Sequence, residues 1–294
     1  MDIKKGMVSC IIPTYKRCDL LGRAIDSILQ QTYDHYEILV VDDNEPGSKE
    51  SEEVKGVLNG YASNSKVIYV PQIEHINGAV ARNEGIKVSN GEYIAFLDDD
   101  DEWMPEKLEK QVKILENDQT IGGVFCIANI YKDNIIVTKA ASFTEGDMQY
   151  RILRRDVRIA NSTFMGRKSI IQQFGGFNPK LRRHQDIQFM ADFAGVARIV
   201  PLNEPLTKMH ADSTINRPTA LRLKELKNDF FECEKDNINK LSFFKRKRVY
   251  GAHYFELAYV AFKERQYRLC LEAILKVGFS PISYIDLLKR FSER

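Results

Sequence analysis

The chain has 294 residues, 44% of them hydrophobic and 29% charged, which suffices for a substantial core and argues against a disordered chain. A formal net charge of +2 is too near neutral to indicate a nucleic-acid partner, and five scattered cysteines without CxxC spacing argue against a disulfide framework or a zinc site. No apolar run reaches signal-peptide or membrane-span length, so the expected location is the cytoplasm, with at most peripheral contact at the inner face of the cell membrane.

In chain order, the apolar run Val8–Pro13 predicts a strand, and Asp19–Gln31 predicts a helix because Leu20, Leu21, Ala24, Ile25, Ile28 and Leu29 recur at helical spacing. Glu37–Val41 predicts a second strand ending in Asp42-Asp43-Asn44, and Ser51–Tyr61 a helix. Val67–Val70 reads as a third strand, Ala79–Ser89 as a helix, and Tyr93–Leu97 as a fourth strand running into Asp98 to Asp101. Apolar strands alternating with helices predict an α/β fold whose mostly parallel sheet is covered on both faces. Pro105–Asn117 then reads as a helix, Gly122–Tyr131 as a strand and Gly175–Phe177 as a turn. Gln185–Phe193 reads as a helix with Asp186 in its first turn, whereas 132–160 shows no clear pattern.

Beyond Pro218 the chain changes to charged amphipathic helices over about 219–238, 243–264, 267–277 and 281–292. From Arg217 onward 17 Lys/Arg stand against 10 Asp/Glu, leaving 26 against 31 in residues 1–216. Composition therefore divides the chain into a domain of residues 1–216 and a helical C-terminal region of residues 217–294. The stretch F243-F-K-R-K-R-V249 interleaves cations with aromatics, which suits a solvated helix face, a membrane surface, or self-association into a homo-oligomer.

Ligands of open parallel sheets bind beyond the carboxyl ends of the strands, where this sequence places Pro13-Thr14-Tyr15, Asp42-Asp43-Asn44 and Asp98 to Asp101. A hard cation such as Mg²⁺ or Mn²⁺ takes one or two protein carboxylates and completes its shell with water and phosphates. The D-x-D spacing lets Asp98 and Asp100 share such an ion while Asp99 turns elsewhere; a bare acidic run, taken alone, reads rather as a solvated turn before the next helix. Arg82 suits a phosphate, a base or a surface ion pair, Asp43 a ribose or base edge or a turn cap, and Tyr15 a stacked base or loop packing. Trp103 suits a wall of the ligand pocket or packing at the helix start, and packing is the preferred reading.

Four stretches in order carry a resemblance: V-S-C-I-I-P-T-Y-K-R, Q-Q-T-Y-D-H-Y-E-I-L-V-V-D-D-N, N-G-A-V-A-R-N-E-G-I, and G-E-Y-I-A-F-L-D-D-D-D-E-W-M-P-E-K-L. Over about residues 7–210 the chain resembles the family 2 glycosyltransferases with the GT-A fold. The resemblance implies an inverting enzyme that transfers a sugar from a nucleotide-sugar, usually a UDP-sugar, to a hydroxyl of a glycan or lipid-linked acceptor, in cell-surface polysaccharide or glycolipid biosynthesis. It implies that Pro13, Thr14 and Tyr15 line the nucleoside pocket, that Asp43 contacts the base with Asp42 in support, and that Arg82 lies near the uracil and Asp99 near the ribose. Asp100 becomes the main ligand of Mn²⁺ or Mg²⁺, with Asp98 assisting and His210 as a third ligand or a phosphate donor, while Asp101 is expected to be replaceable.

The family commonly carries an acidic pair after a G-G-F segment. In G175-G-F-N-P-K-L-R-R-H-Q-D-I-Q-F189 the first of these positions is Gln185, so Asp186 is the expected catalytic base, with a helix cap as the alternative. The Gln185 substitution leaves room for a different reading, a non-catalytic nucleotide-sugar-binding scaffold of a glycan assembly complex.

Overall fold

The computed structural model describes residues 3–139, 142–211 and 218–277. Its elements begin with β1 (Lys4–Thr14), α1 (Cys18–Leu29), β2 (Tyr36–Asp42), α2 (Lys49–Asn59), β3 (Val67–Pro71), α3 (Gly78–Val88) and β4 (Gly91–Phe96). There follow β5 (Glu102–Trp103), α4 (Lys107–Asn117), β6 (Ile121–Lys132), β7 (Ile135–Thr138), α5 (Met148–Leu153), β8 (Phe164–Arg167), α6 (Lys168–Phe174), α7 (Gln185–Val196) and β9 (Arg198–His210). The last are α8 (Ala220–Cys233), α9 (Lys235–Lys240), α10 (Phe243–Lys263) and α11 (Tyr267–Val277). The helix expected near 281–292 lies outside the described residues. Among them, no helix is long and apolar enough to cross a membrane.

The chain divides into two compact units. The first comprises the described parts of Met1–Gly146, Ile159–Pro179 and Val196–Thr214, and its strands form one sheet in the order β3-β2-β1-β4-β8-β6-β9-β5, with β7 paired to β6. Strands β3, β2, β1 and β4 are mutually parallel, whereas β8 runs antiparallel to both β4 and β6. All seven residues of β2 are buried, as a parallel strand covered on both faces requires.

Along β1, the alternate residues Val8, Cys10 and Ile12 join a core with Leu21, Ala24, Ile25 and Ile28 of α1 and Leu108, Val112 and Leu115 of α4. Ile11 points the other way, to α3, which approaches so closely at Gly85 that a Cβ there would stand 2.5 Å from Ile11 Cγ2. Register sets the functional edge: Thr14 lies beside Asp42, and Ile11 beside Phe96, so the residues that follow these strands emerge together. The helix expected from Pro105 begins at Lys107, because Glu102 and Trp103 are drawn into antiparallel pairing with Lys208 and Thr207 of β9.

The second unit comprises the described parts of Asp147–Arg158, Lys180–Gly195 and Ile215–Arg294. The division at residue 216 leaves the first two of these segments with the earlier domain; their contacts place them with the C-terminal helices. His253 of α10 donates from Nε2 to the Leu153 carbonyl at 2.9 Å, and Glu256 pairs with both Arg155 and the buried Lys227. Lys227 and Arg155 hold the Glu256 carboxyl well below the carboxylate range against the opposing effect of burial.

Candidate functional site

Seven of the nine residues expected at a nucleotide line one pocket at the carboxyl edge of the parallel strands: Pro13, Thr14, Tyr15, Asp43, Arg82, Asp98 and Asp99. Arg17, His75 and Gly78 complete its wall. Asp42 and Asp100 are not part of that lining. Asp42 is buried behind it, accepting from the Asn44 side chain and backbone and from the hydroxyls of Ser51 and Tyr69 at 2.8–3.1 Å. It therefore braces the loop that presents Asp43.

Asp43 is itself held on both carboxylate oxygens, accepting from Gln72 Nε2 at 2.7 Å and facing His75 Nδ1 at 3.1 Å. Burial pushes its carboxyl up, and His75 opposes that shift. The His75 ring lies flat on Tyr15, with centroids 3.9 Å apart and planes within 8°, which makes a double aromatic wall beside Asp43. His75 stands in the loop between β3 and α3 and belongs to no recognisable motif, so sequence reasoning missed it.

The four successive aspartates meet four different surroundings. Asp98 pairs with Arg82, whose Nη1 also donates to the Gly78 carbonyl at 3.0 Å and so is braced from its own helix. Asp99 is 1% exposed, and burial pushes its carboxyl up to about 6, against the pull of Arg17. Arg17 Nη2 lies 2.8 Å from Asp99 Oδ1, yet among the described residues no well-aligned hydrogen bond reaches either Asp99 oxygen or Thr14 Oγ1. Asp100 pairs with Arg17, and its carbonyl accepts from Arg23 Nη2 at 2.8 Å.

Asp101, expected to be replaceable, is instead buried. Ser162 Oγ donates to its Oδ2 at 2.5 Å while accepting from the Asp98 backbone N–H at 3.1 Å, and burial followed by the Asp98 charge pushes the Asp101 carboxyl well up. Loss of that acceptor would leave the buried Ser162 hydroxyl without the carboxylate it donates to. Trp103 is buried, donating from Nε1 to the Ser162 carbonyl at 2.7 Å, in keeping with a packing role.

The backbone N–H of His210 reaches Asp101, but its ring does not join the aspartates. Its Nε2 meets Glu102 Oε1 at 2.7 Å, and among the described residues no three His, Cys, Asp or Glu side chains are placed to share an ion. The set Asp98, Asp100 and His210 is therefore not assembled as a three-ligand site. A Mg²⁺ or Mn²⁺ ion that binds together with a diphosphate needs only one or two protein carboxylates. Asp98 and Asp100, both already facing positive groups and flanking the buried carboxylate of Asp99, fit that requirement.

Asp186 lies in the first turn of α7, which belongs to the second unit and not to the unit that carries the pocket. The residue before that helix, His184, adopts φ +63°, a left-handed conformation uncommon for a non-glycine residue. Burial, then the charges of Lys227 and Arg155, push the His184 ring down to about 3, so it stands neutral next to Gln185 and Asp186.

Acidic and arginine side chains converging at the carboxyl edge of the parallel strands occupy the place where open α/β sheets bind their ligands. Residues 9–175 match the profile of Glycosyl transferase family 2, and the chain belongs to that family. It is 30% identical over 209 residues to an uncharacterized glycosyltransferase of Haemophilus influenzae, a match covering 68% of this chain and 67% of that protein. It is 27% identical over 212 residues to the amylovoran biosynthesis glycosyltransferase AmsB of Erwinia amylovora, covering 69% of each. The match spans 67% and 69% of the length of these two relatives, and 42% of a teichuronic acid biosynthesis glycosyltransferase of Bacillus subtilis. A crystal structure of S. aureus TarS in complex with UDP-GlcNAc superposes with a TM-score of 0.62 at 14% identity, over 91% of this chain and 89% of that one. The GT-A architecture expected from the sequence is the one observed.

Proposed function

We propose that this chain is an inverting, metal-dependent glycosyltransferase that moves a sugar from a UDP-sugar to an acceptor hydroxyl during synthesis of a surface polysaccharide or glycolipid. The observation that carries this reading is the meeting of Tyr15, Asp43, Arg82, Asp98 and Asp99 in one pocket of a family 2 chain. The UDP-GlcNAc bound to TarS and the amylovoran role of AmsB support the choice of donor and product class.

In this reading Asp43 accepts from the N–H edge of the base, and the Tyr15 and His75 rings supply an aromatic wall for it. Asp99 accepts from the ribose hydroxyls and so gains the hydrogen bonds it lacks. Arg17 and Arg82 carry guanidinium groups suited to the diphosphate. Asp100 and Asp98 would hold Mn²⁺ or Mg²⁺, whose chemistry when bound is Lewis-acid neutralisation of charge on the leaving diphosphate. Asp186 takes the proton of the acceptor hydroxyl as its oxygen bonds to the anomeric carbon. The bond from that carbon to the diphosphate oxygen breaks on the opposite face, inverting the centre.

Incubation of the purified protein with a panel of UDP-sugars and Mn²⁺ should release UDP by slow hydrolysis, and a matched acceptor should accelerate that release. An Asp186→Asn variant should keep UDP affinity within about twofold while transfer falls ~10²-fold or more. Failure to bind any nucleotide under any metal condition would sink the proposal, and donor binding without hydrolysis or transfer would make the chain a scaffold. Undiminished transfer by Asp186→Asn would remove that residue from its role.

A further inference from the structure

We infer that the start of α10 is a docking surface for an anionic phospholipid bilayer. The segment reads F243-F-K-R-K-R248. Phe243 and Phe244 are 56% and 77% exposed and touch edge to face, with centroids 5.6 Å apart. Two adjacent phenyl rings left in water forgo the stabilisation that burial would bring, and such a patch marks a contact surface.

The cations that follow are mostly unspent within the protein. Lys245 is neutralised by Asp147 at 2.6 Å, and Lys247 Nζ rests 4.5 Å from the Phe243 ring centroid. Among the described residues no carboxylate pairs with Arg246, Lys247 or Arg248, and the sequence has no acidic residue between Asp236 and Glu256. Cations in a first turn oppose the helix dipole, so the stability of α10 does not account for them. Its inward face is already committed, through buried Val249, Gly251, His253 and Leu257.

An apolar pair beside unpaired cations matches an anionic leaflet, where aromatic rings enter the acyl boundary and guanidinium and ammonium groups stay level with the phosphates. Free phosphate would engage the cations and leave the phenylalanines without a role. A second copy of this chain would bring the same positive charge against itself, which Coulomb repulsion disfavours. The surface belongs to the second unit and the pocket to the first, and the inference does not depend on the sugar-transfer reading.

Co-sedimentation of the full chain with vesicles tests it, using phosphatidylcholine alone and phosphatidylcholine with about one third phosphatidylglycerol. Binding should be at least ~10-fold tighter to the anionic vesicles and should weaken with added salt. The variant Arg246→Gln/Lys247→Gln/Arg248→Gln should lose ~100-fold in affinity for them, and Phe243→Ser/Phe244→Ser ~10-fold or more. Phe243, Phe244 and Lys247 are exposed, and Arg246 and Arg248 are half-buried without a carboxylate partner among the described residues, so both variants should melt as the parent does by circular dichroism. Equal binding to the two vesicle types, or full binding by either variant, would overturn the inference. So would a Phe variant that leaves vesicle binding intact and instead dissociates an oligomer seen by light scattering.

Discussion

An Asp99→Asn variant should be more stable than its parent and a weaker binder of UDP. Burial is the main reason the Asp99 carboxyl rises from 3.8 to about 6, with Arg17 opposing. The native protein thus holds this proton more tightly than the unfolded chain does, so stability falls as pH rises from about 4 to about 6 and is level above that. The full displacement corresponds to ~3 kcal/mol, an upper bound. Asparagine keeps the shape and avoids the charge but gives up the Arg17 contact, and its amide needs an acceptor, which the Thr14 hydroxyl beside Asp99 can supply. A net gain of ~1–2 kcal/mol follows at pH 7.5, a rise of about 3–6 °C in Tm. Differential scanning fluorimetry should show that gain vanishing by pH 4.5, where the charge contribution has fallen to about a third of its full size, and calorimetric titration should show the loss of UDP affinity. A lower melting point at pH 7.5, or a difference that does not change with pH, would refute the claim that burial of charge is stored at this position for a ligand.

Arg17→Ala should raise affinity for Mn²⁺ alone by about 3–10-fold, since a half-exposed guanidinium is a modest competitor for Asp99 and Asp100; electron paramagnetic resonance of unbound Mn²⁺ measures this without any activity assay. Affinity for UDP with Mn²⁺ should fall in the same variant, and an unchanged Mn²⁺ affinity would show that the arginine and the ion do not share carboxylates. Gly85→Ala should cost ~1–3 kcal/mol in urea denaturation, because its Cβ would meet Ile11 Cγ2 at 2.5 Å and force α3 away from β1.

The centre of the parallel half was legible because β1, β2 and β4 are largely buried on both faces, so β2 reads as the apolar run Ile38–Val41 ending where Asp42 and Asp43 begin. The polar ends of β1, β2 and β4 then had to emerge together, which is why most pocket residues were found from sequence. Strand β5 was not legible, since a two-residue strand exists only through its pairing with β9 far along the chain. Arg17 and His75 were missed for a related reason: their positions depend on loop conformation, such as the left-handed turn at Lys16 with φ +57°. The placement of 147–158 and 180–195 with the C-terminal helices was equally hidden, because a composition window cannot register an ion pair such as Arg155 with Glu256, 101 residues apart.

The acidic run itself was the most visible feature and the one whose internal division sequence could least supply. Four adjacent carboxylates survive at one turn because Arg82, Arg17 and Ser162 take them separately, and because Asp99, buried among them, carries a displaced protonation equilibrium. Both guanidiniums belong to the pocket wall, so the charge that holds the aspartates in place is also the charge a diphosphate would seek. An ion bridging Asp98 and Asp100 would compete with those guanidiniums for carboxylate oxygens and leave them available to the phosphates. The coupling has a direct consequence: cation and nucleotide should each bind more tightly in the presence of the other, by the same factor, and the arginines should carry part of that factor.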